Sequence, residues 1–176
     1  GSSIKVAQSY DDSEALGDLF QWGRCADGHQ LKTSGVYSPP VDSASCNSSG
    51  KAWNGRFITS SATYNYDWLS TQNDTLWQGQ IGDNDPCPEG WSVPSEAEMR
   101  AERDTWNPQN NTTAYNKLHL PRAPRRAYSG GVEWGREEAY YTTRTPNGTQ
   151  STVLYITNTT ATLGGGFSAN GYAVRC

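Results

Sequence analysis

The sequence predicts a single α+β domain, with two helices and short antiparallel strands joined by long irregular loops. Its 176 residues suit one domain. A capping pattern at residues 95–98 predicts a helix, and the run Val153–Leu154–Tyr155–Ile156 has high strand propensity. Only 34% of the residues are hydrophobic and 18% are charged, so uncharged polar groups supply most of the polarity. That composition favours hydrogen-bonded loops over solvated helices.

Composition also excludes several classes of protein. Seven Trp and ten Tyr argue against a disordered chain, although the mean hydropathy is low at −0.79. The net charge is −4, and acidic residues interleave with the arginines of residues 122–136, so no basic stripe predicts nucleic acid as a partner. No apolar run reaches the length of a membrane span, so we expect no membrane insertion. Gly1–Ser2 is typical of the remnant of a cleaved tag.

The first half of the chain predicts one strand, one helix and a long loop. Residues 4–7 alternate in polarity, which predicts a short strand. Residues 11–14 offer helix-capping groups, and apolar residues follow at helical spacing as far as Trp22, which predicts a first helix that ends by Gly28. Turn residues dominate residues 29–54 and predict a loop. Residues 53–58 and 67–69 are expected to form short strands or ordered coil.

The second half carries sharper signals. Ser95 and Glu98 form a capping box, which predicts a second helix from Glu96 to Asp104 or Trp106, before Pro108. Residues 118–121 are expected to be buried and extended, and residues 140–143, 152–157 and 172–175 to be strands. We expect residues 147–148 and 164–166 to act as turn breakers. Alternation along 152–157 sends Thr152, Leu154 and Ile156 to one face and Val153, Tyr155 and Thr157 to the other.

The four cysteines form no C-x-x-C pair and lie near no histidine cluster, which makes a zinc site improbable. An even number in a polar, aromatic-rich chain predicts two disulfides and an oxidising compartment. Of the three possible pairings we prefer Cys25–Cys46 and Cys87–Cys176. Free buried thiols in a cytosolic protein are the alternative.

Several segments occur together in an order that resembles a known family. DPCPEGWSVPSEAE at residues 85–98 resembles the CPxGWxVPTxAEW segment of the Fibrobacter succinogenes major paralogous (FISUMP) domains. LFQWGR at residues 19–24 resembles their LYQWGR motif. Residues 120–121, 140–143 and SANGYAVRC at 168–176 resemble their C-terminal half. The resemblance extends from the predicted first helix to the end of the chain.

This resemblance implies a C-type-lectin-like fold, shared with formylglycine-generating enzymes and with the variable proteins of diversity-generating retroelements. Those variable proteins bind ligands through a face that tolerates massive substitution, often as phage receptor-binding or cell-surface proteins. Adenine mutagenesis of their coding template enriches Asn, Ser, Thr, Tyr, Asp and Gly, a bias seen here across residues 125–167. The resemblance therefore implies a variable binding face within residues 122–170, and a location on a virion, on a cell surface or outside the cell.

The sequence also departs from the family. Val132, Glu133, Trp134 and Glu137 are less typical of the adenine bias, and Cys25 stands where the family often has a polar residue. The lectin-type calcium signatures EPN or QPD followed by WND are absent, which argues against calcium-dependent sugar binding. Asp83 and Asp85 supply a weak candidate calcium site, but turn and cap roles are commoner for such residues. We therefore expect no cofactor.

We expect the binding face to use Tyr and Trp as contact area, and small polar residues for hydrogen bonds. A solvated polar region without a partner is the alternative. The predicted ligand-binding residues are Arg126, Tyr128, Glu133, Trp134, Arg136, Glu137, Thr142, Thr143, Tyr155, Thr157, Thr159 and Thr160.

The expected function is non-enzymatic binding of a cell-surface protein or glycan receptor. A FISUMP-like structural or adhesive bacterial surface module is the second hypothesis, and a carbohydrate-acting enzyme is the third. The sequence identifies no receptor and leaves the oligomeric state open, a homo-oligomer included.

Overall fold

The computed structural model describes residues 6–79, 82–134 and 137–176 and has a mixed α+β architecture, which confirms the predicted class. The helices are α1 (Glu96–Arg103) and α2 (Asn111–Leu118). Two 3-10 turns lie at Ser13–Ala15 and Ala62–Tyr64. The strands are β1 (Phe20–Gln21), β2 (Val36–Tyr37), β3 (Phe57–Ile58), β4 (Arg125–Arg126), β5 (Val132–Glu133), β6 (Ala139–Asn147), β7 (Gln150–Ile156), β8 (Ala161–Phe167) and β9 (Gly171–Tyr172).

These strands form three sheets. One has the order β1-β9-β4-β5 with antiparallel neighbours, a second is the parallel pair β2-β3, and the third is the antiparallel β6-β7-β8 sheet. The β6–β7 hairpin turns at Gly148, whose φ is +61°, so the turn predicted at residues 147–148 is confirmed. An irregularity between Thr142 and Pro146 shifts the register of that hairpin.

Helix α1 is the second helix that the sequence predicts. The Ser95 hydroxyl accepts a hydrogen bond from the Glu98 amide (3.2 Å), and the Glu98 carboxylate accepts one from the Ser95 amide (2.7 Å). Helix α2 was not predicted. Its cap is Asn110, whose side chain accepts from the Thr113 amide at 3.1 Å. The segment expected to be extended therefore begins with the end of this helix, and only its last two residues, Leu120 and Pro121, continue as buried chain outside it.

The predicted first helix is wrong. Only Ser13–Ala15 forms a 3-10 turn, and Gly17 follows it with a φ of +67°. Phe20 and Gln21 then pair with Tyr172 and Gly171 as an extended strand. Of the apolar residues that gave the helical spacing, Phe20 is half-buried and the others are buried, so long-range pairing and packing override local propensity here.

One turn prediction and two strand predictions also need correction. Residues 164–166 do not break the chain but lie inside β8, opposite Ser151, Thr152 and Val153. The last strand ends at Tyr172, although Ala173 still bridges to Tyr141. Of the predicted strand at residues 4–7, residues 4–5 lie outside the described residues, and the rest is irregular. The predicted loop at 29–54 contains only the two-residue strand β2.

Two apolar clusters form the core. One lies between α1, α2 and the β6-β7-β8 sheet and includes Met99, Trp106, Leu154 and Ile156. The other is rich in tryptophan and includes Trp22, Trp53, Trp68 and Trp77. None of the helices in the described ranges is both long and apolar enough to cross a membrane.

Both preferred disulfides are present. The Cα atoms of Cys25 and Cys46 are 5.8 Å apart, and those of Cys87 and Cys176 are 5.7 Å apart. The alternative of free thiols is therefore wrong. The second bridge ties the CPEGW corner to the last residue of the chain. Two disulfides are typical of proteins that fold in an oxidising compartment.

Candidate ligand-binding surface

The outer side of the β6-β7-β8 sheet presents a row of polar and aromatic side chains. Tyr155 in β7 lies opposite Tyr140 in β6 and Thr162 in β8. Its neighbours Leu154 and Ile156 are both 0% exposed and pack toward the helices. The predicted alternation therefore places Tyr155 on the side that faces away from the helix core. Val153 shares that side but is buried.

An open depression of about 260 Å³ lies beside this row, and we call it the tyrosine groove. Glycines form part of its lining because β8 has three in succession. At Gly164 a Cβ atom would meet nothing within 4 Å, whereas at Gly166 it would lie 2.6 Å from the Tyr172 hydroxyl. Gly166 thus gives the Tyr172 ring its space. The lining residues are Arg125, Tyr140, Val153, Tyr155, Thr162, Gly164, Gly165, Gly166 and Tyr172.

Glu138 fixes the two half-buried tyrosines of the groove, Tyr140 and Tyr155. One carboxylate oxygen accepts from the Tyr140 hydroxyl (2.8 Å) and the other from the Tyr155 hydroxyl (2.7 Å). The two ring centroids lie 5.2 Å apart. Hydrogen bonds from Tyr155 and Tyr140 lower the pKa of Glu138, and the same carboxylate raises the pKa of Tyr155 to about 12. At neutral pH the carboxylate is charged and the phenol is protonated, so the arrangement is stable.

Arg125 is held at the other side of Tyr140. Its guanidinium carbon lies 5.3 Å from the centre of the Tyr140 ring, within range of a cation–π interaction. Its Nε and Nη2 atoms each lie 2.7 Å from the Glu133 carboxylate. Trp134 follows Glu133 in the chain and is 59% exposed. An exposed tryptophan therefore follows directly on a fixed Arg–Glu pair.

A second depression continues from Glu138 to the β7–β8 turn. It has a volume of about 360 Å³ and is lined by Glu137, Glu138, Thr157, Asn158 and Thr159. The Thr157 hydroxyl oxygen accepts from the amides of Thr159 (3.2 Å) and Thr160 (2.9 Å), which fixes the turn. Because Glu138 lines this depression and bonds Tyr155, the predicted threonines are continuous with the tyrosine groove.

Three predicted binding residues are buried instead. Thr142 and Thr143 are both 0% exposed. The Thr142 amide donates to the Ala173 carbonyl at 3.0 Å, and the Thr143 carbonyl accepts from the Trp22 indole at 3.0 Å. Arg126 is 4% exposed and donates to the Ser34 hydroxyl (2.6 Å) and carbonyl (2.7 Å). These three positions stabilise the frame and are unavailable to a ligand.

The other predicted residues are at or near the surface. Glu133, Trp134, Glu137, Thr159 and Thr160 are exposed, and Tyr155 and Thr157 are half-buried. Tyr128 is half-buried in a cluster with Tyr66 and Phe167, with ring centroids 4.7 and 5.8 Å away. Arg136 lies outside the described residues.

Sequence reasoning missed Arg125, Glu138, Tyr140, Thr162 and the three glycines. The predicted hairpin turn could have been used to align the two strands. Counting residue pairs back from Asn147–Gln150 without a register shift, however, would place Tyr140 opposite Thr157. The register shift between Thr142 and Pro146 places it opposite Tyr155 instead. No sequence feature announces that shift.

The candidate calcium ligands have structural roles. The Asp85 carboxylate accepts from the Cys87 amide (2.9 Å) and the Val93 amide (3.2 Å), and so shapes the turn. The carbonyl of Asp83 accepts from the Trp77 amide at 2.9 Å. Within the described ranges, no group of three or more His, Cys, Asp or Glu side chains is arranged to hold a metal ion.

An Asp–His pair lies in the interior, away from the groove. His29 Nδ1 is 2.7 Å from the Asp27 carboxylate, and His29 Nε2 accepts from the Gln21 amide at 3.2 Å. Burial lowers the pKa of His29 to about 4, so the ring is neutral at pH 7. Both ring nitrogens are bonded and the side chain is fully buried, so this pair has a structural role.

Comparison of the chain with protein-family models, curated protein sequences and solved structures finds no match. Its function is therefore inferred from its own residues and geometry.

Proposed function

We propose that this chain is a non-enzymatic ligand-binding domain of C-type-lectin-like fold and of the retroelement-diversified kind. It displays surface residues of the 122–170 segment to a cell-surface protein or glycan receptor, from a virion, from a cell surface or as a secreted protein. The observation that carries the proposal is the tyrosine groove: the half-buried Tyr140 and Tyr155 stand in fixed positions beside an open depression on a disulfide-bonded frame.

The groove supports binding because its aromatic side chains are ordered before a ligand arrives. Glu138 holds both Tyr140 and Tyr155, and Arg125 is held by Glu133. Immobilising a side chain on binding costs about 0.5–1.5 kcal/mol of free energy. These side chains are already ordered in the free protein, so that cost does not reduce the affinity. Ring faces and the Thr162 hydroxyl are left for the ligand, as in surfaces that bind by stacking and adaptable hydrogen bonds.

The lining favours contact over catalysis. The groove residues are one arginine, three tyrosines, one threonine, one valine and three glycines. Such a set can stack, donate and accept. The Glu138 carboxylate that accepts from Tyr155 raises the pKa of that phenol to about 12, which disfavours it as a nucleophile, and the lining holds no two carboxylates across a substrate. The buried Asp27–His29 pair lies elsewhere.

The arrangement of the family-like motifs supports the proposed fold. The motif LFQWGR contributes β1, which pairs with β9 from the closing motif. The CPEGW segment is joined to the same closing motif through Cys87 and Cys176. Three segments that are distant in sequence therefore meet around one end of the molecule, next to the sheet that bears the groove.

Binding measurements test the proposal directly. Ligands found on arrays of glycans and of extracellular protein domains would be titrated against Trp134→Ala and Tyr155→Ala. Each variant is expected to weaken binding by about 2 kcal/mol, because exposed aromatic anchors dominate such interfaces. Trp91→Ala is the matched control, since Trp91 is 62% exposed but lies outside residues 122–170. Equal affinity of all three variants would refute the assignment.

Sequencing the gene across a population separates this proposal from the second hypothesis. Retroelement diversification predicts substitutions at template adenines, with changes at codons such as those for Tyr155 and Thr162 and constancy at Leu154 and Ile156. A gene with no adenine-specific variation and no adjoining reverse transcriptase would favour a FISUMP-like structural or adhesive module.

A further inference from the structure

Strand β8 is an edge strand whose central residues lack the usual protection against pairing. It bonds to β7 on one side over the whole range from Phe167–Gln150 to Ala161–Ile156. Within residues 6–79, 82–134 and 137–176, no strand pairs with its other side. The sequence Ala161–Phe167 carries neither a charge nor a proline, the two devices that most often block a free edge.

The backbone groups on this free edge can be identified. At the β7–β8 turn the Thr157 amide donates to the Thr160 carbonyl at 2.8 Å. Antiparallel pairs alternate between bonded and non-bonded, so Thr162 and Gly164 face β7, whereas Leu163 and Gly165 direct their N–H and C=O groups outward. The Ala161 carbonyl belongs to the outward set and accepts from Arg103 Nη1 at 3.1 Å, which agrees with this assignment.

The groove-side face of β8 is also open near its centre. Gly164 and Gly165 are exposed, and no atom lies within 4 Å of a Cβ built at Gly164. Thr162, Gly164 and Gly166 lie on the groove side of the strand, and two of these three have no side chain. On the groove side, therefore, no side chain of β8 itself stands above Gly164, where a neighbouring strand would place its own side chains.

We propose that β8 pairs antiparallel with β8 of a second copy of this chain, about a two-fold axis at Gly164. In this register Leu163 lies opposite Gly165 of the partner subunit, and the reverse pair is equivalent by symmetry. The outward N–H and C=O groups of both residues are then satisfied, by about four hydrogen bonds in all. A second copy is the favoured occupant because Leu163, Gly164 and Gly165 carry no charge, so the same segment of two copies can meet at the axis without like-charge repulsion.

This pairing goes beyond the proposed function and changes the shape of the binding surface. The two three-stranded sheets become one six-stranded sheet. Because Gly164, Gly165 and Gly166 line the tyrosine groove, the grooves of the two copies lie side by side across the axis. Each copy then contributes its glycine edge to a joint concave surface.

Sedimentation equilibrium of the chain without ligand tests the proposal. The contact is smaller than a standard interface, so we expect a dissociation constant on the order of 10–100 µM. The mass should rise from that of one chain toward that of two between about 1 and 500 µM. Amide hydrogen exchange at Leu163 and Gly165 should slow over the same concentration range.

Charge variants at the axis supply the specific test. Gly164→Lys and Gly164→Glu fit the free chain, since Gly164 has open space and no left-handed φ. In the dimer the two substituted residues would face each other with Cα atoms about 4.5 Å apart. Each variant alone should weaken association at least about tenfold, and an equimolar mixture should restore it as a heterodimer. Thr149→Lys, at the exposed hairpin turn, is the control and should associate like the unmodified chain.

Three outcomes would overturn the proposal: a monomer at 500 µM, a dimer that is insensitive to charge at Gly164, or a mixture of the two variants that fails to associate. Protection of Leu163 and Gly165 only after a receptor is added would also overturn it, and would assign the edge to a strand of the ligand. No ligand enters the main experiment, so its failure leaves the proposed function standing. Conversely, unchanged ligand affinity in Trp134→Ala and Tyr155→Ala leaves the dimer standing.

Discussion

Residues 6–94 and residues 95–176 reach a rigid structure by different means. In the described part of the first region, regular structure amounts to two 3-10 turns and the two-residue strands β1, β2 and β3. The second region contains both α-helices and the three longest strands. Yet the first region buries four tryptophans, Trp22, Trp53, Trp68 and Trp77.

Side chains in the first region replace the hydrogen bonds that a ladder would supply. The Gln21 amide nitrogen donates to the carbonyls of Ile58 and Ala169, both at 2.8 Å, and its oxygen accepts from the Ile58 amide at 3.0 Å. The Asn84 amide bonds the carbonyls of Gly23 (2.9 Å) and Ala44 (2.6 Å). Side-chain amides can thus hold irregular chain in a fixed structure by bonding its backbone. The long strands of residues 95–176 carry the tyrosine groove.

Arg24 shows how a charge is accommodated in that frame. Its guanidinium carbon lies 5.4 Å from the Trp53 ring and 5.5 Å from the Trp68 ring, and it pairs with Asp27 at 2.7 Å. Burial alone would raise the pKa of Asp27, but hydrogen bonds from His29 and the charge of Arg24 lower it to about 2. The ion pair therefore stays charged across the physiological range.

The disulfides should give the largest effect, because one bridge joins the two regions and the other lies within the first. Cys87→Ser with Cys176→Ser opens a separation of 89 residues, and Cys25→Ser with Cys46→Ser opens one of 21. Chain entropy predicts losses of about 4–5 and about 3 kcal/mol in the free energy of unfolding. Urea denaturation of the two double variants measures both. A larger loss from the shorter loop would contradict the view that the Cys87–Cys176 bridge matters most.

Gln21→Leu tests the claim that side-chain amides bond backbone groups that pairing between strands would otherwise bond. The substitution keeps an apolar side chain of similar length but leaves two carbonyls and one amide without their buried partner. We expect a loss of about 4 kcal/mol in the free energy of unfolding. Gln8→Leu, at an exposed position, is the matched control and should change it by less than about 0.5 kcal/mol. Similar stabilities for the two variants would show that the amide is dispensable.

Asp67 should give the smallest of these effects, and with the opposite sign. Burial raises the pKa of this carboxyl from 3.8 to about 6, so the folded chain holds its proton more tightly than the unfolded chain does. Stability contributed by the protonated form is therefore lost as the pH rises through this window. Asp67→Asn retains an acceptor for the Leu69 amide and should stabilise the protein at pH 7 by about 1–2 kcal/mol.

Unfolding measured between pH 4 and pH 8 checks the sign. The advantage of Asp67→Asn should shrink toward zero at pH 4, where the carboxyl of the unmodified protein is protonated when folded. An advantage that is constant with pH would mean that ionisation of Asp67 has no part in it.

Sequence-based prediction succeeded where local signals decide the structure. The capping box of α1, the turn at Gly148 and the strand propensity of β7 are all encoded by near neighbours. It failed where distant pairing decides: β1 exists because Phe20 meets Tyr172, and residues 164–166 are extended because β7 holds them. Helix α2 was missed because its Asn- and Thr-rich sequence has weak helix propensity.

The same division applies to the binding surface. Tyr155 and Trp134 were predicted at the surface from composition and alternation, and both are accessible. Thr142 and Thr143 satisfy the same criteria but are buried, because the chain at Ala173 pairs with Thr142 and the Trp22 indole packs at the Thr143 carbonyl. A pattern of polar residues predicts which strand has a solvent-exposed face. Only the packing of other elements determines which residues of that face are accessible.

Simultaneous replacement of five residues at or near the binding surface tests most directly whether the stability of the folded domain is independent of the identity of those residues. A variant with Trp134, Glu137, Tyr155, Thr159 and Thr162 all changed to Asn would be compared with the single core variant Leu154→Ala in urea denaturation. Leu154 is fully buried, so Leu154→Ala should lower the free energy of unfolding by about 3 kcal/mol. The fivefold variant should lose less than that. A greater loss from the fivefold variant would contradict the independence of frame and surface.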